Sequence, residues 1–153
     1  MFELTEAQRM VQKAVRDFSE KELAPAVHDL DNEVILPYDL IRRMMKALGI
    51  GDIIRQGLEK KADSLEKEGG SEGGRVGLGG DDPMMSFILM KELSRWAPGY
   101  AMSWGAGIGL CGGAIAAKGN ADQIRKYAIP VMTYEKIGAW GLTEPGAGSD
   151  AFG

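Results

Sequence analysis

Gly141-Leu-Thr-Glu-Pro-Gly-Ala-Gly-Ser-Asp-Ala-Phe-Gly153 follows a short apolar run, Ile137-Gly-Ala-Trp140, that reads as a strand ending in a turn. Its glycines and Pro145 impose a tight, open backbone, and Thr143, Ser149 and Asp150 present oxygens. Gly146 and Gly148 carry no Cβ, so a ligand can lie directly against the main-chain N–H groups there. Successive N–H groups in such a turn form an anion nest suited to a phosphate or diphosphate. Thr143 and Ser149 can donate hydrogen bonds to ligand oxygens or ring nitrogens. The same residue types also suit an ordinary surface turn between two strands, and composition alone does not separate the two readings.

The pattern Gly-Leu-Thr-Glu-x-x-Ala-Gly-Ser-Asp-x-x-Gly at 141–153 resembles the signature of the acyl-CoA dehydrogenases. The resemblance implies an N-terminal helical bundle followed by the start of a β-domain. It also implies that the loop lines FAD, with cofactor contacts at Trp140, Gly141, Leu142, Thr143, Gly148 and Ser149. Thr143 would then bond the flavin ring and Ser149 would touch both the cofactor and an acyl-CoA substrate. Trp140 stands where a smaller aromatic is commoner in the family, which alters the local ring packing. A second resemblance lies at Gly119-Asn-x-x-Gln-x-x-Lys-Tyr127, at the family's usual distance before the loop.

Composition is compatible with one packed domain: 153 residues, 44% of them hydrophobic, with a net charge of −4. That charge gives no electrostatic footprint for nucleic acid. Arg42-Arg43 and Lys60-Lys61 read as pairs on solvated helix faces. The single Cys111 excludes an intrachain disulfide and suits a reducing compartment, and one His with one Cys argues against zinc. The start, Phe2-Glu-Leu-Thr-Glu6, does not read as a secretory or transit leader, so a cytoplasmic location is expected.

Thr5-Glu-Ala-Gln8 is a capping box opening a first helix, with Ala7, Val11, Ala14, Val15 and Phe18 as its apolar stripe and Pro25 ending or kinking it. His28, among Asp29, Asp31 and Glu33, reads as a solvated surface residue. Pro37 can open a second helix, with Leu40, Ile41, Met44, Met45 and Leu48 inward and Gly49 as a left-handed stop. Ile50 to Ile54 read as a short segment, and 59–68 as a separate charged surface helix. Residues 69–80 hold seven glycines but lack the Gly-Lys-Ser/Thr ending of a triphosphate loop, so a flexible connection is expected. Asp82-Pro83 caps a helix that looks apolar over most of its girth, through Met85, Phe87, Ile88, Leu89, Met90, Leu93 and Trp96.

Trp96 to Ala117 carry no charge, a length that could span a bilayer. Pro98, six glycines and little Leu, Ile or Phe favour instead a central helix buried on all sides and broken near Cys111-Gly-Gly. Gly107-x-Gly-x-x-Gly112 has the form of a dinucleotide fingerprint, but no strand pattern precedes it, so these read as helix-packing glycines. By resemblance, a helix here walls an acyl pocket, and Gly105, Ala106, Gly107 and Gly109 would open that wall to a bulky or branched acyl group. Asn120 starts a short helix from Ala121 to Tyr127, which Pro130 ends.

The expected organisation is therefore an all-α helical domain over 1–135, with 136–153 as the beginning of a β-domain. The implied activity is oxidation of an acyl-CoA to the 2,3-enoyl-CoA, with electrons passing to an electron-transfer flavoprotein and a homotetrameric assembly. In the family the carboxylate base comes from a C-terminal helical domain, so no catalytic residue and no metal ligand is assigned, and the chain alone is expected to be inactive. A flavin monooxygenase or non-redox acyl-CoA flavoprotein of the same fold, and a helical structural or membrane-associated module, are the competing classes.

Overall fold

A computed structural model describes residues 3–68 and 82–150, so the glycine-rich connection expected at 69–80 lies outside the described residues. Among the described residues the chain is helical and no strand ladder forms. The strand expected at Ile137–Trp140 is extended coil, because a single strand has no neighbour to take its main-chain hydrogen bonds.

Helix α1 (Glu6–Phe18) starts at the Thr5–Gln8 capping box, closed in both directions at 3.2 Å and 2.9 Å. Only Val15 and Phe18 of the expected stripe are buried. Val11 is half-buried, and Ala7 and Ala14 face solvent. The inward face is rotated because it carries a polar seam against α5 (Pro83–Ser94), where Glu92 is buried with 1% of its side chain exposed. Glu92 accepts from Gln12 at 2.9 Å and from the Arg16 guanidinium at 3.0 Å through both oxygens, with Arg95 at 3.3 Å. The Arg16 hydrogen bonds hold the Glu92 carboxyl below its ordinary range, assisted by Gln12 and Arg95 and opposed by burial. Helix α5 is apolar over most of its girth as expected but buried on one side only: Ile88, Leu89 and Leu93 are buried, while Phe87, and Trp96 just beyond its end, are exposed.

Pro25 does not end the helical course. The turn before it, Ser19–Leu23, widens to π geometry, Ala24–Ala26 tightens to a 3₁₀ turn, and α2 (Val27–Asp31) continues. Pro130 is accommodated in the same way. A π-helical stretch, Ile124–Ala128, separates α8 (Ala121–Gln123) from α9 (Ile129–Met132), which carries the proline in its first turn. In both places the widened turn relieves the clash of the ring with the carbonyl four residues back, and the missing N–H costs nothing.

Helix α3 (Tyr38–Ala47) buries Leu40, Ile41, Met44 and Met45, and Gly49 stops it at φ +65° as expected. The two segments expected at 50–54 and 59–68 are one helix, α4 (Ile50–Glu68). Ile50, Ile54, Leu58 and Ala62 recur every four residues, and all four are buried in the common core. Arg125, in the π-helical stretch Ile124–Ala128, clamps that stretch to α4 through Glu59, Asp63 and Glu66. Next come α6 (Pro98–Gly105), a π-helical stretch Ala106–Gly112, and α7 (Gly113–Lys118), all helical in φ and ψ at their junctions. The expected break at Cys111-Gly-Gly is therefore a change of helical register. Nor is this helix buried on all sides, since Met102 and Leu110 are exposed. Among the described residues no helix is long and apolar enough to cross a membrane.

Candidate functional site

The segment after α9 divides into a docked root and a projecting tip. The root begins at Thr133, whose hydroxyl donates back to the Ile129 carbonyl at 2.8 Å. Tyr134 then adopts φ +60°, a left-handed conformation that costs a side chain with a Cβ about 1–2 kcal/mol. Its carbonyl accepts from the Arg42 Nε at 3.0 Å, and its N–H donates to Val131 at 3.1 Å. The ring is 2% exposed, and its hydroxyl donates to the Ser103 carbonyl at 2.7 Å, with the Trp104 carbonyl at 3.2 Å. Burial, with nearby Tyr38 adding to it, pushes the phenol up to about 12.

The ring and the chain around it meet the π-helical stretch Ala106–Gly112. A Cβ at Gly107 would lie 2.7 Å from the Tyr134 hydroxyl, and one at Gly112 would lie 2.2 Å from Met132 Cγ. Further along, a Cβ at Gly138 would lie 2.7 Å from Cys111 Sγ and 2.6 Å from Val131 Cγ1. Small residues thus let the outgoing chain sit directly on this helix. A surface cavity of about 220 Å³ flanks the root, lined in part by Arg42, Lys46, Asp52, Arg55 and Glu135. Arg55 pairs with Glu135 and Arg42 with Asp39, so much of its charge is already neutralised.

Of the glycines expected to open an acyl-pocket wall, Gly107 alone is filled from within the chain. Gly105 faces Met90 Cε at 3.8 Å and Gly107 faces Tyr134, while Gly109 has nothing within 4 Å. Gly107 is a packing glycine already occupied by Tyr134, whereas Gly105 and Gly109 stay open.

The tip behaves differently. Trp140 is 44% and Leu142 51% exposed. One turn is closed, Glu144-Pro-Gly-Ala147, with reciprocal main-chain bonds of 3.0 Å and 3.1 Å, and Pro145 stands at the position that suits its fixed φ. Glu144 accordingly has a structural main-chain part here. The hydroxyls of Thr143 and Ser149 have no hydrogen-bond partner among the described residues. A Cβ added at Gly141, Gly146 or Gly148 would meet no atom within 4 Å, and none of the three has a positive φ. The left-handed half of an anion nest is therefore not adopted. Neither backbone strain nor packing within the chain requires glycine at these three positions.

His28 is exposed, with its ring Nδ1 3.3 Å from the Asn32 amide, as the surface reading expected. No cluster of three or more His, Cys, Asp or Glu that could hold a metal occurs among the described residues. Sequence reasoning did not single out Tyr134 or Gly138, and it read Arg42 only as half of a solvated basic pair. The available signal was a large residue directly after Thr133, where a left-handed helix exit usually carries Gly or Asn.

Comparison with known proteins places these features in context. The acyl-CoA dehydrogenase N-terminal domain matches residues 5–57 and 65–135. The chain is 35% identical over 152 residues to the short-chain-specific acyl-CoA dehydrogenase of Megasphaera elsdenii, covering 99% of this chain and 36% of that one. It is 31% identical to the human mitochondrial short-chain-specific acyl-CoA dehydrogenase, over 97% of this chain and 32% of the relative. The solved butyryl-CoA dehydrogenase of Megasphaera elsdenii superposes with a TM-score of 0.68 at 31% identity, over 99% of this chain and 36% of that chain. The chain thus spans about a third of the length of the curated relatives it matches.

Proposed function

Because the chain belongs to the acyl-CoA dehydrogenase family, we propose that it is the N-terminal part of an FAD-dependent acyl-CoA dehydrogenase. The overall reaction is conversion of an acyl-CoA thioester to the 2,3-enoyl-CoA, with loss of the α-proton to a carboxylate elsewhere in the protein. FAD, when bound, supplies the acceptor for the β-hydride. Residues 1–135 form the helical domain, and 136–153 open the β-domain.

The tip fits such a cofactor on the structure's own terms. Three open glycines in one loop with the unengaged Thr143 and Ser149 hydroxyls carry the reading, because a ligand lying against that main chain would meet no Cβ and would find two donors beside it. Main-chain N–H groups near Gly146 and Gly148 would take diphosphate oxygens, and the unengaged Thr143 hydroxyl would hold the ring edge. Ser149 would reach both cofactor and substrate, while Trp140, Gly141 and Leu142 would flank the ring. These residues bind and orient; they remove no proton from the substrate. Electrons would leave to an electron-transfer flavoprotein, from a homotetramer in the cytoplasm.

FAD titration of the natural protein tests this directly. Thr143→Ala and Ser149→Ala are each expected to weaken FAD about tenfold, the loss of one hydrogen bond to a charged or polar ligand group. Unchanged affinity in both variants would remove these residues from the cofactor site.

A further inference from the structure

The left-handed Tyr134, seated in the Gly107 notch, is more than a turn. We infer that Tyr134 is the positioning residue for the projecting tip, locking the point and direction at which the chain leaves the helical domain. The inference rests on the proposed flavin role of the tip and adds to it a residue outside the cofactor-contacting set.

Four observations converge on it. A tyrosine in the left-handed region persists only where its surroundings over-determine it. Here those surroundings are explicit: a hydroxyl bonded to the Ser103 carbonyl, a notch at Gly107 that a single methyl would fill, and Arg42 bonded to the Tyr134 carbonyl. Ser103 stands just before the π-helical stretch, so the phenol ties the exit to the point where helical register changes. Four residues on, Gly138 rests against Cys111, about one turn beyond Gly107 on the same helix. Tyr134 and Gly138 therefore hold the outgoing chain at two successive turns. Beyond Gly138 the tip has one closed turn of its own and no other main-chain hydrogen bond among the described residues. Its aim is consequently set at the root.

The test compares the natural protein with Tyr134→Phe and Tyr134→Gly by hydrogen exchange over residues 133–143 and by FAD titration with the visible flavin spectrum. Phe keeps the ring and loses the hydroxyl bonds; Gly relieves the positive φ and removes the plug. The lock expects both variants to exchange the amides at 134 and 136 about tenfold faster, with the amides of α1 and α5 unchanged. It also expects FAD to bind about tenfold more weakly in both, with a shifted flavin band. If Tyr134→Gly equals or exceeds the natural protein in both readings, position 134 is a simple left-handed turn and the inference is wrong. Faster exchange with unchanged FAD affinity and spectrum would equally overturn it, since the root would then not aim the tip. Should the natural protein take up no FAD at all, the flavin reading falls separately, and the exchange comparison alone decides for or against the lock.

Discussion

The helical domain and the projecting tip follow opposite rules of construction. In the domain, several unusual residues have an internal reason. Gly107 makes room for Tyr134, Gly112 for Met132, Gly49 turns left-handed, and Glu92 is buried because three neighbours hydrogen-bond it. In the tip, Gly141, Gly146, Gly148, Thr143 and Ser149 have no such reason. Gly51, Gly99 and Gly109 of the domain are as open as the tip glycines, so the contrast rests on three open glycines and two unengaged hydroxyls falling together in one loop.

The sharpest way to break this contrast is to find that the domain does not depend on its interior. Leu58 is fully buried at the centre of α4, and Leu58→Ala is expected to cost about 3 kcal/mol in urea unfolding of the natural protein. A cost below about 1 kcal/mol would place α4 outside the common core. Glu92→Ala comes next, at about 2 kcal/mol, because it strips the charge-assisted bonds from the α1–α5 seam. The pH dependence carries its own sign. The Glu92 carboxyl is depressed in the folded state, so its contribution is complete above the unfolded carboxylate range and is lost as pH falls below about 4. Replacement by Gln is expected to flatten that acid limb. The smallest effect belongs to the tip: Thr143→Ala with Ser149→Ala is expected to leave stability within about 0.5 kcal/mol of the natural protein, measured by the same unfolding curves.

Much of the domain was legible because its signals are local. The capping box at Thr5, the helix start at Asn120, the Asp82-Pro83 cap and the Gly49 stop each involve residues within four positions of one another. The motif from Gly141 onward was legible as a family pattern. What escaped depends on distant partners or on masking. The stripe Ile50, Ile54, Leu58, Ala62 was hidden by Gly51, Gly57 and a dense run of charges, so a single helix read as two pieces. Burial of Glu92 depends on Gln12 and Arg16, which lie 80 and 76 positions away. Pro25 read as a stop or kink and Pro130 as a stop because a widened preceding turn leaves no mark in composition. Filling of Gly107 by Tyr134 was hidden for a related reason: counting glycines ignores what each one faces.

Hydrogen exchange across residues 140–149 of the natural protein, with and without saturating FAD, tests the central contrast most directly. The expected result is fast exchange without FAD and strong protection of the amides near Gly146 to Ser149 with it, while the amides of α1 and α5 stay as they were. Exchange over 140–149 that is already slow, or that FAD leaves unchanged, would contradict the assignment of this segment to the cofactor.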